Sequence, residues 1–148
     1  VMLGYVNAVS CDDPLTGLAS LAHLRSRISD VYRAERQAGT PAVDSHALVV
    51  VSAPAVTAPA PGRDEVLTHA LHVARLGDTA RTVFSGSETI GHVGAGRVVV
   101  LADRDDRIGR RVGLLRRMLD DARARVWIEG LPGSDEAAGR LLDELTRA

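Results

Sequence analysis

Few residues of this chain are spaced for chemistry. His69 and His72 lie three apart, which on a helix puts two imidazoles on one face. A metal site needs further ligands, and none stands nearby in the sequence, so the pair reads as a solvated face. Arg107, Arg110, Arg111, Arg116 and Arg117 crowd one short stretch and could hold phosphate. Asp120 and Asp121 follow directly, so this stretch also reads as a solvated face. The third place runs from Glu88 to Asp103 and carries a glycine turn followed at once by Arg97. A guanidinium there could fork an anion with paired N–H donors; an exposed strand-end arginine is the plainer reading.

That third stretch organises the chain. Residues 89–93 and 97–102 are two β-prone segments around Gly94-Ala95-Gly96, where glycine supplies positive φ at no steric cost. Val98-Val99-Val100-Leu101 is apolar without alternation, which predicts a strand buried on both faces. Upstream, Asp13 before Pro14 marks a boundary. A helix follows over residues 20–37, with Leu21, Leu24, Ile28 and Val31 as its apolar stripe. Gly39-Thr40-Pro41 ends it, and 46–53 reads as a strand around Leu48-Val49-Val50-Val51. Residues 52–63 are rich in Ala and Pro and read as a plain, stiff loop.

A helix is expected over 64–76 on Leu67, Ala70, Leu71 and Ala74, broken at Gly77, with a short second helix from Asp78 through Phe84. Residues 104–123 form a helix on Ile108, Val112, Leu115 and Leu119, its start complemented by Asp103, Asp105 and Asp106. Residues 126–128 make the last strand. Ser134 caps a final helix on Ala138, Leu141, Leu142 and Leu145. Six of these elements give a β-α-β-β-α-β order, so the expected class is α/β (α+β): a ferredoxin-like core, antiparallel central sheet with flanking helices.

Composition narrows the function classes. The chain has 148 residues, 45% hydrophobic and 25% charged, enough for one globular domain with a core. Net charge is −1, which gives no general affinity for nucleic acid. All 18 basic residues are Arg, as a GC-rich genome would produce. Cys11 is the only cysteine, so no intrachain disulfide forms and a reducing, cytoplasmic setting fits. No apolar run approaches the roughly 20 residues of a membrane span, and no signal peptide is visible. Residues 1–12 read as an incoming segment; Met2, Leu3, Val6 and Val9 fit either the end of a connecting helix or a loose terminus.

Two motifs carry a family resemblance. Asp13-Pro14-Leu15-Thr16-Gly17-Leu18 matches the Asp-x-Leu-Thr-Gly-Leu phrase that opens GGDEF domains, the diguanylate cyclases of bacterial signalling. His92-Val93-Gly94-Ala95-Gly96-Arg97-Val98 resembles their signature hairpin, where an Arg, one residue and Gly-Gly-Asp/Glu-Glu-Phe precede an apolar strand. The resemblance implies a core of the GGDEF/nucleotidyl cyclase type over residues 13–148. It also implies magnesium carboxylates at the two acidic hairpin positions, here Gly96 and Arg97, and at the end of the first strand, here Ser52 and Pro54. A hydroxyl substitutes poorly for a carboxylate on a hard cation. The family's substrate-binding residues in the loop after that strand have no counterparts. Its inhibitory product site, an Arg-x-x-Asp motif before the hairpin, falls on Ser85-Gly86-Ser87-Glu88, which keeps the acid and loses the arginine.

The expectation is therefore a degenerate GGDEF-like domain without catalytic residues, metal or cofactor. Ser52, Pro54, Gly94, Ala95, Gly96 and Arg97 mark its vestigial active site, and Ser85 and Glu88 its vestigial inhibitory site. Its role would be regulatory, through a protein partner, most simply a second copy in a homodimer. A receptor for a guanine nucleotide or cyclic di-GMP in the vestigial pocket is the alternative, with Arg97 holding an anion without magnesium. An active cyclase is disfavoured.

Overall fold

A strand that is apolar on every residue has to be covered on both faces, and two such strands dictate this architecture. The computed structural model describes residues 16–54, 63–94 and 96–147, the side chains of 63–66 excepted. The segment 1–12, the first half of the Asp13–Leu18 phrase, the Ala/Pro-rich stretch 55–62 and Ala95 lie outside the described residues.

Helix α1 spans Leu21–Ala38, capped by Ser20, whose Oγ accepts from the His23 N–H at 3.1 Å. Gly39 closes it in the left-handed region at φ 75. A single turn, α2 (Ala42–Ser45), leads into β1 (His46–Ser52). Helix α3 (Arg63–Val83), the hairpin β2 (Thr89–Val93) and β3 (Arg97–Asp103), and α4 (Ile108–Met118) follow. A 3-10 turn at Asp120–Ala122 leads to β4 (Arg125–Gly130) and α5 (Asp135–Arg147).

The four strands form one antiparallel sheet in the order β2-β3-β1-β4. This is the ferredoxin-like arrangement the element order implies. Alternation along β1 and β3 feeds two cores. Val49, Val51, Val98, Val100 and Ala102 pack with α3 and α4 through Val73, Leu76, Phe84, Val112, Leu115 and Leu119. Leu48, Val50, Val99 and Leu101 pack with α1 and α5 through Leu24, Ile28, Tyr32, Ala138, Leu142 and Leu145. No helix among the described residues is long and apolar enough to cross a membrane.

Helix α3 departs from expectation in two ways. It runs through Gly77 without a break. Its buried face is Ala70, Val73, Leu76 and Ala80, continued by Phe84 just past its end, while Leu67 and Leu71 stand 56% and 62% exposed. Both differences trace to Leu18. This fully buried residue of the opening phrase lies directly against Gly77, where an added Cβ would come within 2.4 Å of its Cδ2. The glycine is there for close approach, and the helix turns that side inward. In α1, Tyr32 rather than Leu21 completes the buried stripe, and its hydroxyl donates to the Pro132 carbonyl. Helix α4 starts later than expected because residues 104–107 form a turn in which the Asp105 carboxylate accepts the Arg107 N–H at 2.9 Å.

Helices α1 and α5 are tied by charge. Arg25 Nη1 reaches Asp135 Oδ1 at 2.7 Å, and the Ser29 hydroxyl donates to the same oxygen at 3.1 Å. Asp135 also sits in the first turn of α5, where the helix dipole favours an anion.

Gly77→Ala is expected to lower the free energy of unfolding by about 1–3 kcal/mol through overpacking against Leu18, although alanine is the better helix former by about 1 kcal/mol. Urea unfolding measures it, and a gain in stability would show that Leu18 yields freely. The Arg25 hydrogen bond, aided by Ser29 and opposed by burial, holds the Asp135 carboxyl below the usual carboxylate range. A depressed folded-state pKa gives stability that is present above the unfolded value and lost as pH falls through the folded one. Asp135→Asn should therefore cost stability at neutral pH and flatten the acid limb of the stability profile below about pH 4. Thermal unfolding between pH 2 and 7 reads both effects.

Candidate functional site

The sheet brings three strand ends together on one side. Ser52 closes β1, and its ladder partners are Arg97 at the start of β3 and Arg125 at the start of β4. The hydroxyl proposed as a metal-ligand remnant thus stands in register between two arginines. Pro54 follows it, exposed.

Across the hairpin turn, Gly94 adopts φ 61, and a Cβ there would lie 2.6 Å from the Thr146 carbonyl. The C-terminal end of α5 rests on the turn at a distance that admits only glycine. Arg97 fastens the contact. Its Nη1 donates to the Leu145 carbonyl at 2.9 Å, satisfying one of the acceptors a helix leaves open at its end, and its Nε donates to Ser52 Oγ at 3.3 Å. Its guanidinium also lies 5.8 Å from the centre of the Trp127 ring, which Arg125 flanks at the same distance. On the other side of the turn, a Cβ added at Gly96 would lie 3.5 Å from the Ala53 carbonyl and 3.7 Å from His69 Cε1.

Ser52, Gly94, Gly96 and Arg97 are therefore assembled in one place, with Pro54 beside them. What they assemble is a packing junction. Arg97 is neither an exposed strand-end arginine nor a free anion fork, because two of its donors are bound within the chain. His69 overhangs the junction, and His72 is one helical turn further along α3. Burial holds the His72 imidazole below the usual histidine range, with the positive charges of His69 and Arg75 acting in the same direction. Among the described residues, no three of His, Cys, Asp and Glu converge as metal ligands.

The second predicted place lies at the other end of β2. Ser85 is exposed, whereas the Glu88 side chain is only 10% exposed and meets Arg111 of α4 at 3.2 Å. The Arg111 guanidinium lies 5.6 Å from the Phe84 ring centre. The cation missing from Ser85 is thus supplied beside Glu88 from another element. A cavity of about 300 Å³ opens along α4, lined by Arg107, Arg110, Arg111, Leu114 and Arg117. The solvated-face reading holds for Arg110 and Arg117, which make no ion pair or hydrogen bond among the described residues. It fails for Arg111, and for Arg116, whose Nε donates to the Val126 carbonyl at 3.0 Å. Arg111 and Arg116 each adjoin a buried residue, Val112 and Leu115. That adjacency separates them from Arg110 and Arg117, though not from Arg107, which adjoins Ile108 of the same stripe.

The sequence matches no protein-family model and no curated protein. Solved structures do match. The FimX GGDEF domain from Pseudomonas aeruginosa superposes with a TM-score of 0.62 at 14% identity, over 94% of this chain and 95% of that one. Vibrio cholerae LapD, an S helix-GGDEF-EAL structure bound to c-di-GMP, gives 0.68 at 11% identity over 98% of this chain and 35% of that one. The diguanylate cyclase SiaD from Pseudomonas aeruginosa, in complex with its activator SiaC, gives 0.66 at 16% identity over 98% of this chain and 61% of that one. At such identities the likeness is one of fold, and it agrees with the antiparallel four-stranded sheet and its flanking helices: the chain has a GGDEF-like fold.

Proposed function

We propose that this chain is a catalytically inactive GGDEF-like signalling domain that acts by associating with a protein partner, most simply a second copy of itself. The observation that carries the reading is the state of Arg97. A cyclase of this fold needs carboxylates at the hairpin and at the end of β1 to hold magnesium against phosphate. Here those places hold Gly96, Arg97, Ser52 and Pro54, and the Arg97 guanidinium sits on Ser52 itself. Two like unit charges 4 Å apart repel by about 4 kcal/mol at an effective dielectric of 20, and a divalent ion doubles that. A partner role is supported by SiaD, whose solved structure is a complex with an activator protein.

A receptor role is the second reading. LapD, solved with c-di-GMP bound, supports it in general. The arginine-lined cavity beside Glu88 supports it in this chain, in preference to the hairpin pocket where Arg97 is already engaged.

Purified protein incubated with GTP and magnesium should yield no cyclic di-GMP above a mock preparation; detectable product would sink the inactive reading. Thermal shift with guanine nucleotides and cyclic di-GMP separates the two remaining roles, since only a receptor gains melting temperature with ligand. Arg97→Ala should lower stability by about 1–3 kcal/mol, because it frees the Leu145 carbonyl and removes the lock between hairpin and α5. It should leave any measured nucleotide affinity unchanged. A selective loss of affinity at unchanged stability would restore Arg97 as a ligand-binding residue.

A further inference from the structure

The two edges of the sheet are treated differently. The β2 edge is covered by the segment that enters α1. Ala19 bridges Gly91 in parallel, donating to the Ile90 carbonyl at 2.9 Å and accepting from the His92 N–H at 3.1 Å. The β4 edge has no neighbour among the described residues beyond β1. Its pairing with β1 runs unbroken from Ala47↔Gly130 to Ser52↔Arg125, with no bulge and no proline to turn it away from solvent. Arg116 reaches the Val126 carbonyl from α4, so this carbonyl, and with it the backbone groups of the alternate residues Ile128 and Gly130, faces outward; Arg116 takes one of the carbonyl's two lone pairs and leaves the other for a partner strand.

The side chains on this edge form a self-complementary series, Arg125-Val126-Trp127-Ile128-Glu129. Val126 belongs to the core under α3 and α4, and Trp127 packs on the opposite face. Alternation then places Ile128 beside Val126 and places Arg125 and Glu129 beside Trp127. We propose that β4 is the docking edge for a second copy of this chain, the two β4 strands pairing antiparallel about a two-fold axis at Trp127. In that register Arg125 faces Glu129 of the other copy, twice. Val126 faces Ile128, also twice, and Trp127 faces its own equivalent. The contact is isologous, so it closes as a dimer and does not propagate.

The charges choose this register over its neighbours. A one-residue slip sets Glu129 against Val126 and flips every side chain to the other face. Two-residue slips place Trp127 opposite Glu129 with Arg125 against Leu131, or Trp127 opposite Arg125 with Glu129 against Arg123, which lies before the strand in the left-handed region. Arg125 and Glu129 thus discourage indiscriminate edge pairing while permitting one arrangement. The apolar part is in place as well: Ile128 is 38% exposed in the single chain, and pairing with Val126 would cover it.

This inference rests on the association reading and specifies its surface. Sedimentation of the full chain across the micromolar range should give a reversible dimer. Glu129→Arg sets arginine opposite arginine at two places and should weaken the dimer by roughly tenfold or more; Arg125→Glu should do the same. The double reversal Arg125→Glu/Glu129→Arg restores the pairing and should restore the dimer. Melting curves confirm that each variant is folded. As a geometric check, Trp127→Cys in a Cys11→Ser background should form a disulfide-linked dimer on mild oxidation. Residues that face each other at a non-hydrogen-bonded antiparallel position have Cα atoms about 4.5 Å apart, within disulfide range. Ile128→Cys, which faces Val126 and not itself, should not crosslink. A dimer indifferent to both single reversals, or one lost only on deleting residues 1–10, would overturn the β4 interface and leave association through another surface. A chain that stays monomeric throughout would overturn both.

Discussion

The structure depends on burying β1 and β3 from both sides. Every residue of Ala47–Val51 and Val98–Ala102 is buried, and successive side chains point to opposite faces. One helical layer could cover only half of that surface, at a cost of about 25 cal/mol for each Å² of apolar area left in water. Two layers are therefore required, α3 with α4 and α1 with α5, and the β-α-β-β-α-β order delivers them. The same requirement puts β2 and β4 at the edges, where burial is only partial.

At the hairpin end, residues that would serve ligand chemistry in a cyclase of this fold serve cohesion. Arg97 bridges three elements: β1 through Ser52, β4 through the face of Trp127, and α5 through the Leu145 carbonyl. A guanidinium suits this because its donors form a rigid planar fork while its faces remain free to stack. Gly94 completes the junction by letting the end of α5 come within the space a side chain would need. The glycine frame of the hairpin thus has a packing reason that does not require a nucleotide.

Much of this was legible in the sequence, for identifiable reasons. The doubly buried strands show as unbroken apolar runs, and the cap at Ser134 shows by residue type and position, its Oγ accepting from the Ala137 N–H at 3.1 Å. The face of α3 was not legible. Leu67, Ala70, Leu71 and Ala74 form as good a stripe as Ala70, Val73, Leu76, Gly77 and Ala80 if glycine is scored as a helix breaker. Only the long-range fact that Leu18 lies over Gly77 decides between them. The two local arginine assignments failed similarly. The strand end alone makes Arg97 an exposed arginine and the crowded helix makes Arg111 a solvated one, whereas their partners, Leu145 and Glu88, are 48 and 23 residues distant. Periodicity reports which face of an element is apolar; it does not report which charged side chain at the margin of that face will find an acceptor on another element.

The same limit explains why β4 carries more information in the structure than in the sequence. As a string, Arg125–Glu129 is a short half-buried strand between a charged turn and a Gly/Pro loop. Its meaning changes once the sheet order makes it an edge, because an edge strand offers backbone donors and acceptors that a central strand has already used. Charge at an edge then acts on specificity more than on strength. An exposed cross-strand ion pair is worth only a few tenths of a kcal/mol to about 1 kcal/mol, whereas like charges in direct opposition act against association by a similar amount. In the proposed dimer such an edge discriminates among registers. There discrimination needs only the order of five side chains, not the placement of a metal and a nucleotide.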